Sequence, residues 1–290
     1  MRLTHIFLVS LVVVIWGGNF VVIRWGVEDV DPYIMTAFRF LLTAVPVIFF
    51  VKKPNIKLSI LAIHGILFGG GLWGIVNYAI FLGTPSGLAS LVLQASAFLS
   101  VIAAVVIFKE EITKNKFIGI TLALIGFLLI IYSSYESEQS IRFYGIVLVL
   151  IAALSWTICN MIIKKYKPDN VIGFISWSSL FVPMPILLLS YLDNPNNFIS
   201  SLTTIGFQGY VSITFQAFVT TLFGYSIWTY FINKYGLAVI APYSLIVPIS
   251  GIFFAWIIYN EKLTHIEIAG SIIVLVGLVV NSRLIRIYKK

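Results

Sequence analysis

Ten apolar runs, each about 20 residues long and joined by short polar connections, divide this chain almost without remainder. They lie at 5–24, 33–51, 58–82, 86–108, 115–132, 143–163, 171–191, 207–232, 237–259 and 266–284. A backbone inside hydrocarbon has no water to satisfy its N–H and C=O groups, so such runs must close their hydrogen bonds internally, as helices. Composition agrees. The chain is 60% hydrophobic and 10% charged, with a mean hydropathy of +1.02, whereas soluble domains hold about 45–50% apolar and about 25% charged residues. The expected fold is an all-α membrane protein with ten transmembrane helices.

The connections carry turn chemistry, as at Asp31-Pro32, Lys53-Pro54-Asn55, Thr84-Pro85-Ser86, Lys167-Pro168-Asp169-Asn170 and Asp193-Asn194-Pro195. Their charge predicts an orientation. With the N-terminus in the cytoplasm, the cytoplasmic segments hold fifteen of the nineteen Lys and Arg residues, Lys52, Lys109, Lys164, Lys234 and Arg283 among them. The opposite face has Arg24, Arg142 and Lys262, and Arg39 falls within a span. This positive-inside bias puts both termini in the cytoplasm. It also explains the net charge of +8 without nucleic acid, because the basic residues sit at span ends and form no single patch. The first run reads as an uncleaved helix: Trp16-Gly17-Gly18-Asn19 offers no small-x-small cleavage site, and the apolar run continues to Ile23.

The chain also repeats itself. Phe108-Lys109-Glu110-Glu111-Ile112-Thr113 returns 151 residues later as Tyr259-Asn260-Glu261-Lys262-Leu263-Thr264. Each copy precedes an apolar run with paired glycines, Gly119/Gly126 and Gly270/Gly277, a spacing that suggests flat seams where the fifth and tenth helices pack, with pairing to each other as one option. Trp16 matches Trp156, Gly74 matches Gly224, and Gly87-Leu88-Ala89 matches Gly236-Leu237-Ala238. The reading is two domains, 5–132 and 143–284, of five helices each. Five is odd, so the second copy enters the membrane from the opposite side and the halves are inverted repeats, a signature of secondary transporters. The repeated phrase is then a symmetry landmark whose glutamates cap helices at the water boundary.

No span has an Asp or Glu near its centre. Intramembrane carboxylates are the usual proton relays and cation counter-ions, so a neutral or zwitterionic solute is the expected cargo. Arg39 has two readings: a donor for a substrate carboxylate, which its planar fork suits, or a snorkelling or structural partner of the acidic cluster Glu28, Asp29 and Asp31. His64 is either a proton carrier near neutral pH or a residue of the cytoplasmic interface. The neutral polar residues Asn19, Asn77, Gln94, Ser96, Asn160, Tyr243 and Ser244 are candidates for cargo hydrogen bonds or helix glue. Trp16, Trp73, Trp156, Trp177, Tyr225 and Trp228 are candidates for an aromatic wall able to hold an ammonium by cation–π attraction, or for packing. Of these two sets, all but Asn160 and Trp177 join Arg39 in the expected substrate site. Gly69, Gly70, Gly71 and Gly74 in the third run, and Pro242 and Pro248 in the ninth, are candidate hinges, and the prolines predict that helix 9 bends more than helix 4. Pro46 and the pair Pro183/Pro185 fall at corresponding places in helices 2 and 7.

Cys159 is alone, and His5, His64 and His265 are far apart in sequence, so neither a metal site nor a cofactor is expected. The chain contains no H-E-x-x-H, G-x-x-x-x-G-K-[ST] or G-x-S-x-G. That excludes ATP-driven pumping by this chain alone and argues against an enzyme.

Ten spans, the repeat and this wording resemble the EamA family of the drug/metabolite transporter superfamily. The likeness rests on Trp16-Gly17-Gly18-Asn19-Phe20 in the first helix, Arg39-Phe40 in the second, the run from Gly87 to Phe98, and Ala241-Pro242-Tyr243-Ser244-Leu245-Ile246-Val247-Pro248. The last two runs are most similar to the branch exporting O-acetylserine and cysteine. The resemblance implies a multi-pass permease of the bacterial inner membrane, monomeric or homodimeric, that exports small amino acids or related metabolites by alternating access. Export of nucleosides, sugars or drugs, or a role as an intramembrane enzyme or scaffold, are the alternatives.

Overall fold

The computed structural model describes residues 1–136 and 140–281, and every regular element among them is helical. We number the helices α1 (Leu3–Val27), α2 (Pro32–Ile48), α3 (Leu58–Phe81), α4 (Ser86–Phe108), α5 (Lys114–Glu136), α6 (Ser140–Tyr166), α7 (Val171–Asp193), α8 (Phe207–Tyr235), α9 (Ala241–Tyr259) and α10 (His265–Asn281). Eight are long and apolar enough to cross a membrane, while α2 and α10 are shorter apolar helices of 17 residues each. Glu138, residues 282–284 of the tenth expected span and the basic residues Arg283, Arg286, Lys289 and Lys290 lie outside the described residues.

The ends of the helices follow from local chemistry. Asp31 starts α2: its carboxylate accepts the Tyr33 and Ile34 N–H groups at 2.9 Å each, and Pro32 occupies the first turn, where no N–H is needed. Burial raises the Asp31 carboxyl above the usual carboxylate range, against the hydrogen bonds that lower it. At α10, Thr264 and Glu267 form a reciprocal capping box, the Glu267 N–H reaching Thr264 Oγ1 at 3.2 Å and the Thr264 N–H reaching Glu267 Oε2 at 2.8 Å. Thr113, its counterpart in the repeated phrase, accepts the Lys116 N–H at 3.4 Å. Lys109 and Asn260 both end their helices in the left-handed conformation, at φ 55° and 51°.

The interruptions inside the helices recur as well. A nine-residue π segment, Ile66–Gly74, lies within α3, and another, Phe215–Phe223, lies within α8 at an offset of 149 residues. The first contains Gly69, Gly70, Gly71 and Gly74, which the sequence singled out as hinges. Helix α4 is broken at Leu93–Gln94, although it has no proline. Helix α9 opens as a 3₁₀ turn, Ala241–Leu245, with Pro242 in its first turn, before the α-helical stretch from Ile246 that contains Pro248. Both helices are thus interrupted, the ninth over the longer stretch. Pro183 restarts α7 after a break at residues 180–182, whereas Pro46 lies inside α2 just before its end.

Helices α5 and α10 pack against each other along the paired glycines. A Cβ on Gly126 would stand 2.6 Å from the Gly270 carbonyl oxygen, and one on Gly119 would stand 2.7 Å from that of Gly277. Large apolar side chains such as Phe50, Val106 and Ile257 face outward, as a bilayer solvent permits. The ion pairs gather at the ends of the bundle. At one end Arg24 meets Glu261, Arg142 meets Glu267, and Asp29 accepts the Gly209 N–H at 2.8 Å. At the other, Lys164 meets Glu110 and His5 meets Tyr235.

Candidate substrate cavity

A cavity of about 260 Å³ lies among α1, α2, α3, α4, α6, α8 and α9. Nine of the twelve residues expected at the substrate site line it: Trp16, Arg39, Trp73, Gln94, Ser96, Trp156, Tyr225, Trp228 and Ser244. Asn160 lines it too, as do Phe20, Ser90, Leu93, Ala97, Thr220 and Val247, which the sequence reading did not select.

Arg39 sets its chemistry. The residue is fully buried, its Nη1 donates to Gln216 Oε1 at 2.9 Å, and its Nη2 donates to Thr221 Oγ1 at 3.2 Å. The guanidinium lies 4.2 Å from the centre of the Trp73 ring. These partners are all neutral. The acidic cluster that the sequence offered as a partner is engaged elsewhere: Asp31 caps α2, Asp29 holds Gly209, and Glu28 lies 3.8 Å from Arg24. Two donors remain unused at this spot, Arg39 Nε and Trp73 Nε1, both buried with no partner in the protein. A buried donor without an acceptor costs about 1–3 kcal/mol, so this corner of the cavity holds two costly donors.

Aromatic rings form another part of the wall. Trp16 lies 5.1 Å from Tyr225 and 5.2 Å from Trp228 between ring centres. The indole N–H of Trp16 donates to the Thr220 carbonyl at 2.9 Å. That carbonyl belongs to the π segment of α8, where the wider turn redirects backbone groups, a device often found at functional sites. Gly224 makes room for the ring, since a Cβ there would stand 2.5 Å from Trp16 Nε1. Gln94, at the break in α4, reaches the Ser244 carbonyl at 3.4 Å and bridges the interruptions of α4 and α9.

Three expected substrate-site residues, and His64, lie elsewhere. Asn19 is buried but does not line the cavity, and neither polar atom of its side chain has a protein partner. Asn77 donates to Thr36 Oγ1 at 2.9 Å and acts as glue between α3 and α2. Tyr243 packs against the small cluster of Val9, Phe231 and Ile240. His64 does not line the cavity: it is buried against Phe174 and Phe68, with Nδ1 3.0 Å from Ser178 Oγ. Trp177, in the same aromatic set, donates to the Val51 carbonyl at 2.9 Å. In each case the type of residue was legible, but the rotation of its helix against its neighbours was not. Gln216, Thr220 and Thr221 were missed, although their spacing at i, i+4 and i+5 puts them near one face of α8.

Apolar helices of membrane-spanning length around a small polar-and-aromatic cavity fit the class of solute transporters. The chain belongs to the EamA-like transporter family, which matches residues 3–132 and again residues 143–283. It is 38% identical over 280 residues to the "Probable amino-acid metabolite efflux pump" of Salmonella typhimurium (strain LT2), covering 95% of this chain and 93% of that one. The protein so named in Escherichia coli (strain K12) is 36% identical over 279 residues, at 94% and 93% coverage. A solved crystal structure shares the fold with a TM-score of 0.59 at 15% identity, covering 100% of this chain and 99% of that one.

Proposed function

We propose that this chain is a secondary carrier of the bacterial inner membrane that exports small amino acids or related metabolites of the cysteine and O-acetylserine type. The observation that supports this most is Arg39: a fully buried guanidinium with neutral partners and a free Nε–H, beside a free indole N–H, in a solute-sized cavity. A carboxylate satisfies both donors and balances the charge. The rings of Trp16, Tyr225 and Trp228 offer an ammonium a cation–π surface where the lining has no acid. The volume lies below the roughly 300–1,000 Å³ of sites for drug-sized ligands, which favours an amino acid over a drug or nucleoside. The efflux-pump names of the relatives point the same way.

In this reading α2 and α10 join the eight longer helices to give ten spans, since 17 residues is the short end of the spanning range of roughly 17–25. The halves 5–132 and 143–284 are inverted repeats, with both termini cytoplasmic, and exchange conformations in alternating access. The carrier works as a monomer or homodimer and takes its cargo down a gradient. His64, buried and away from the cavity, is a poor proton coupler. Uptake into proteoliposomes tests the proposal. Labelled cysteine-like amino acids should exchange, and Arg39→Lys should raise KM by about ten-fold or more, because an ammonium cannot reproduce the planar fork. Exchange of a nucleoside but not of amino acids, or an Arg39→Lys carrier with unchanged KM, would refute it.

A further inference from the structure

We propose that Glu261 and Glu110 are paired latches of the transport cycle, one at each end of the cavity, with the Glu261 latch shut and the Glu110 latch open in this structure. The inference rests on the inverted-repeat reading above. Glu261 follows the left-handed Asn260 at the end of α9. Its Oε1 accepts the Ser86 N–H and the Ser86 hydroxyl at 2.9 Å each, and its Oε2 accepts the Gly87 N–H at 3.0 Å. It also pairs with Arg24 near the end of α1, and its side chain is only 8% exposed. One carboxylate therefore ties together the ends of α1, α4 and α9. Behind it the backbones are in contact, for a Cβ on Gly87 would stand 3.0 Å from Ile252 Cα and 3.1 Å from Ala255 Cβ.

The repeat supplies counterparts for the carboxylate, its cation and the glycine, in another state, while Tyr235 stands at the position of Ser86. Glu110 follows the left-handed Lys109 at the end of α4, 151 residues before Glu261. Its partner is Lys164 near the end of α6, 140 residues after Arg24, which is also the offset between Trp16 and Trp156. The two ion pairs are thus equivalent. The surroundings differ: the Glu110 side chain is 42% exposed, and a Cβ on Gly236, the counterpart of Gly87, would meet nothing within 4 Å. Ser90 is 1% exposed, while Val239, 149 residues on, is 45% exposed.

When the halves exchange states, each ion pair persists. Glu261 gives up Ser86 and Gly87, and Glu110 takes the turn at Gly236. Carboxylate-to-amide bonds are charge-assisted and depend on geometry, so they hold while the two helices are in contact and vanish once these part. A latch of this kind closes one mouth without adding a charge to the cavity.

Single-cysteine reporters in a Cys159→Ser background test the proposal without any substrate. Ser90→Cys sits beneath the Glu261 latch and Val239→Cys at the equivalent place beside Gly236. Applied from the cytoplasmic face, a membrane-impermeant thiol reagent should label Val239→Cys readily; applied from the opposite face, it should label Ser90→Cys slowly. Glu261→Gln should raise the Ser90→Cys rate by about ten-fold, the weight of a lost charge-assisted bond, and lower the Val239→Cys rate. Glu261→Asp should restore part of the difference, and Glu110→Gln should leave Ser90→Cys slow. Unchanged rates in Glu261→Gln, or a rise at both reporters, would overturn the latch. If Glu261→Gln speeds labelling of Ser90→Cys only from the face that labels Val239→Cys, the inverted-repeat reading is overturned. Reciprocal labelling in a carrier that moves no amino acid would leave the latch standing and refute the substrate assignment.

Discussion

Gly126→Ala places one methyl group in the close seam between α5 and α10. The new Cβ would stand 2.6 Å from the Gly270 carbonyl oxygen and 2.7 Å from Val274 Cγ2, and the carbonyl falls 0.8 Å short of the 3.4 Å at which ordinary contact begins. A side chain could rotate away, but a backbone carbonyl cannot. Helices α5 and α10 must therefore separate by most of an ångström. Overpacking of this kind costs about 1–3 kcal/mol, and a gap of 0.5–1 Å forfeits about a quarter to a half of each neighbouring contact. Against that, alanine gains about 1 kcal/mol over glycine in helix propensity. We expect a net loss of about 1–2 kcal/mol, read as a lower midpoint when the carrier unfolds in mixed detergent and SDS micelles. Gly18→Ala is the control, since its Cβ would stand 3.4 Å from Phe254 Cδ2, an ordinary contact. Adding Gly270→Ala to Gly126→Ala should cost less than the sum of the two, because the first methyl has already parted the helices. If Gly126→Ala proves as stable as Gly18→Ala, the seam is not limited by carbonyl contact and the reasoning fails.

Removing the cap with Asp31→Ala should destabilise the fold by about 1 kcal/mol, and Asp31→Asn by less, since an amide oxygen still accepts the Tyr33 and Ile34 N–H groups. Because burial raises the Asp31 carboxyl, the folded state holds this proton more tightly than the unfolded one. Its contribution to stability is full below the ordinary carboxylate value and is lost as pH rises through the raised one, a slope that Asp31→Asn should remove in unfolding midpoints taken across that window. Gly224→Ala should displace Trp16 from the Thr220 carbonyl, shifting tryptophan fluorescence and raising the transport KM by about ten-fold for the lost bond.

Much of the cavity lining was legible in advance because polar groups are costly in hydrocarbon. Arg39, Gln94, Ser96 and Ser244 stood out against apolar neighbours, and all four line the cavity. The same logic also selected Asn19, Asn77 and Tyr243, which do not line it, since a polar residue is equally well buried against another helix, as Asn77 is on Thr36. It also passed over Gln216 and Thr221, which carry no charge but fix the one that matters.

By itself the sequence determined a membrane-spanning helical bundle, its duplication and the family, because hydropathy, turn chemistry and repetition are properties of consecutive residues. Only the tertiary structure decided that Arg39 has no acidic partner, that the paired glycines of α5 and α10 face each other, and that Glu261 is bound to Ser86 and Gly87 while Glu110 is exposed beside Lys164. The physical reason is the same in each case. A helix can be read along its axis from sequence, but its rotation about that axis is set by how its side chains fit the neighbours, and the packing around two related phrases can hold them in different states.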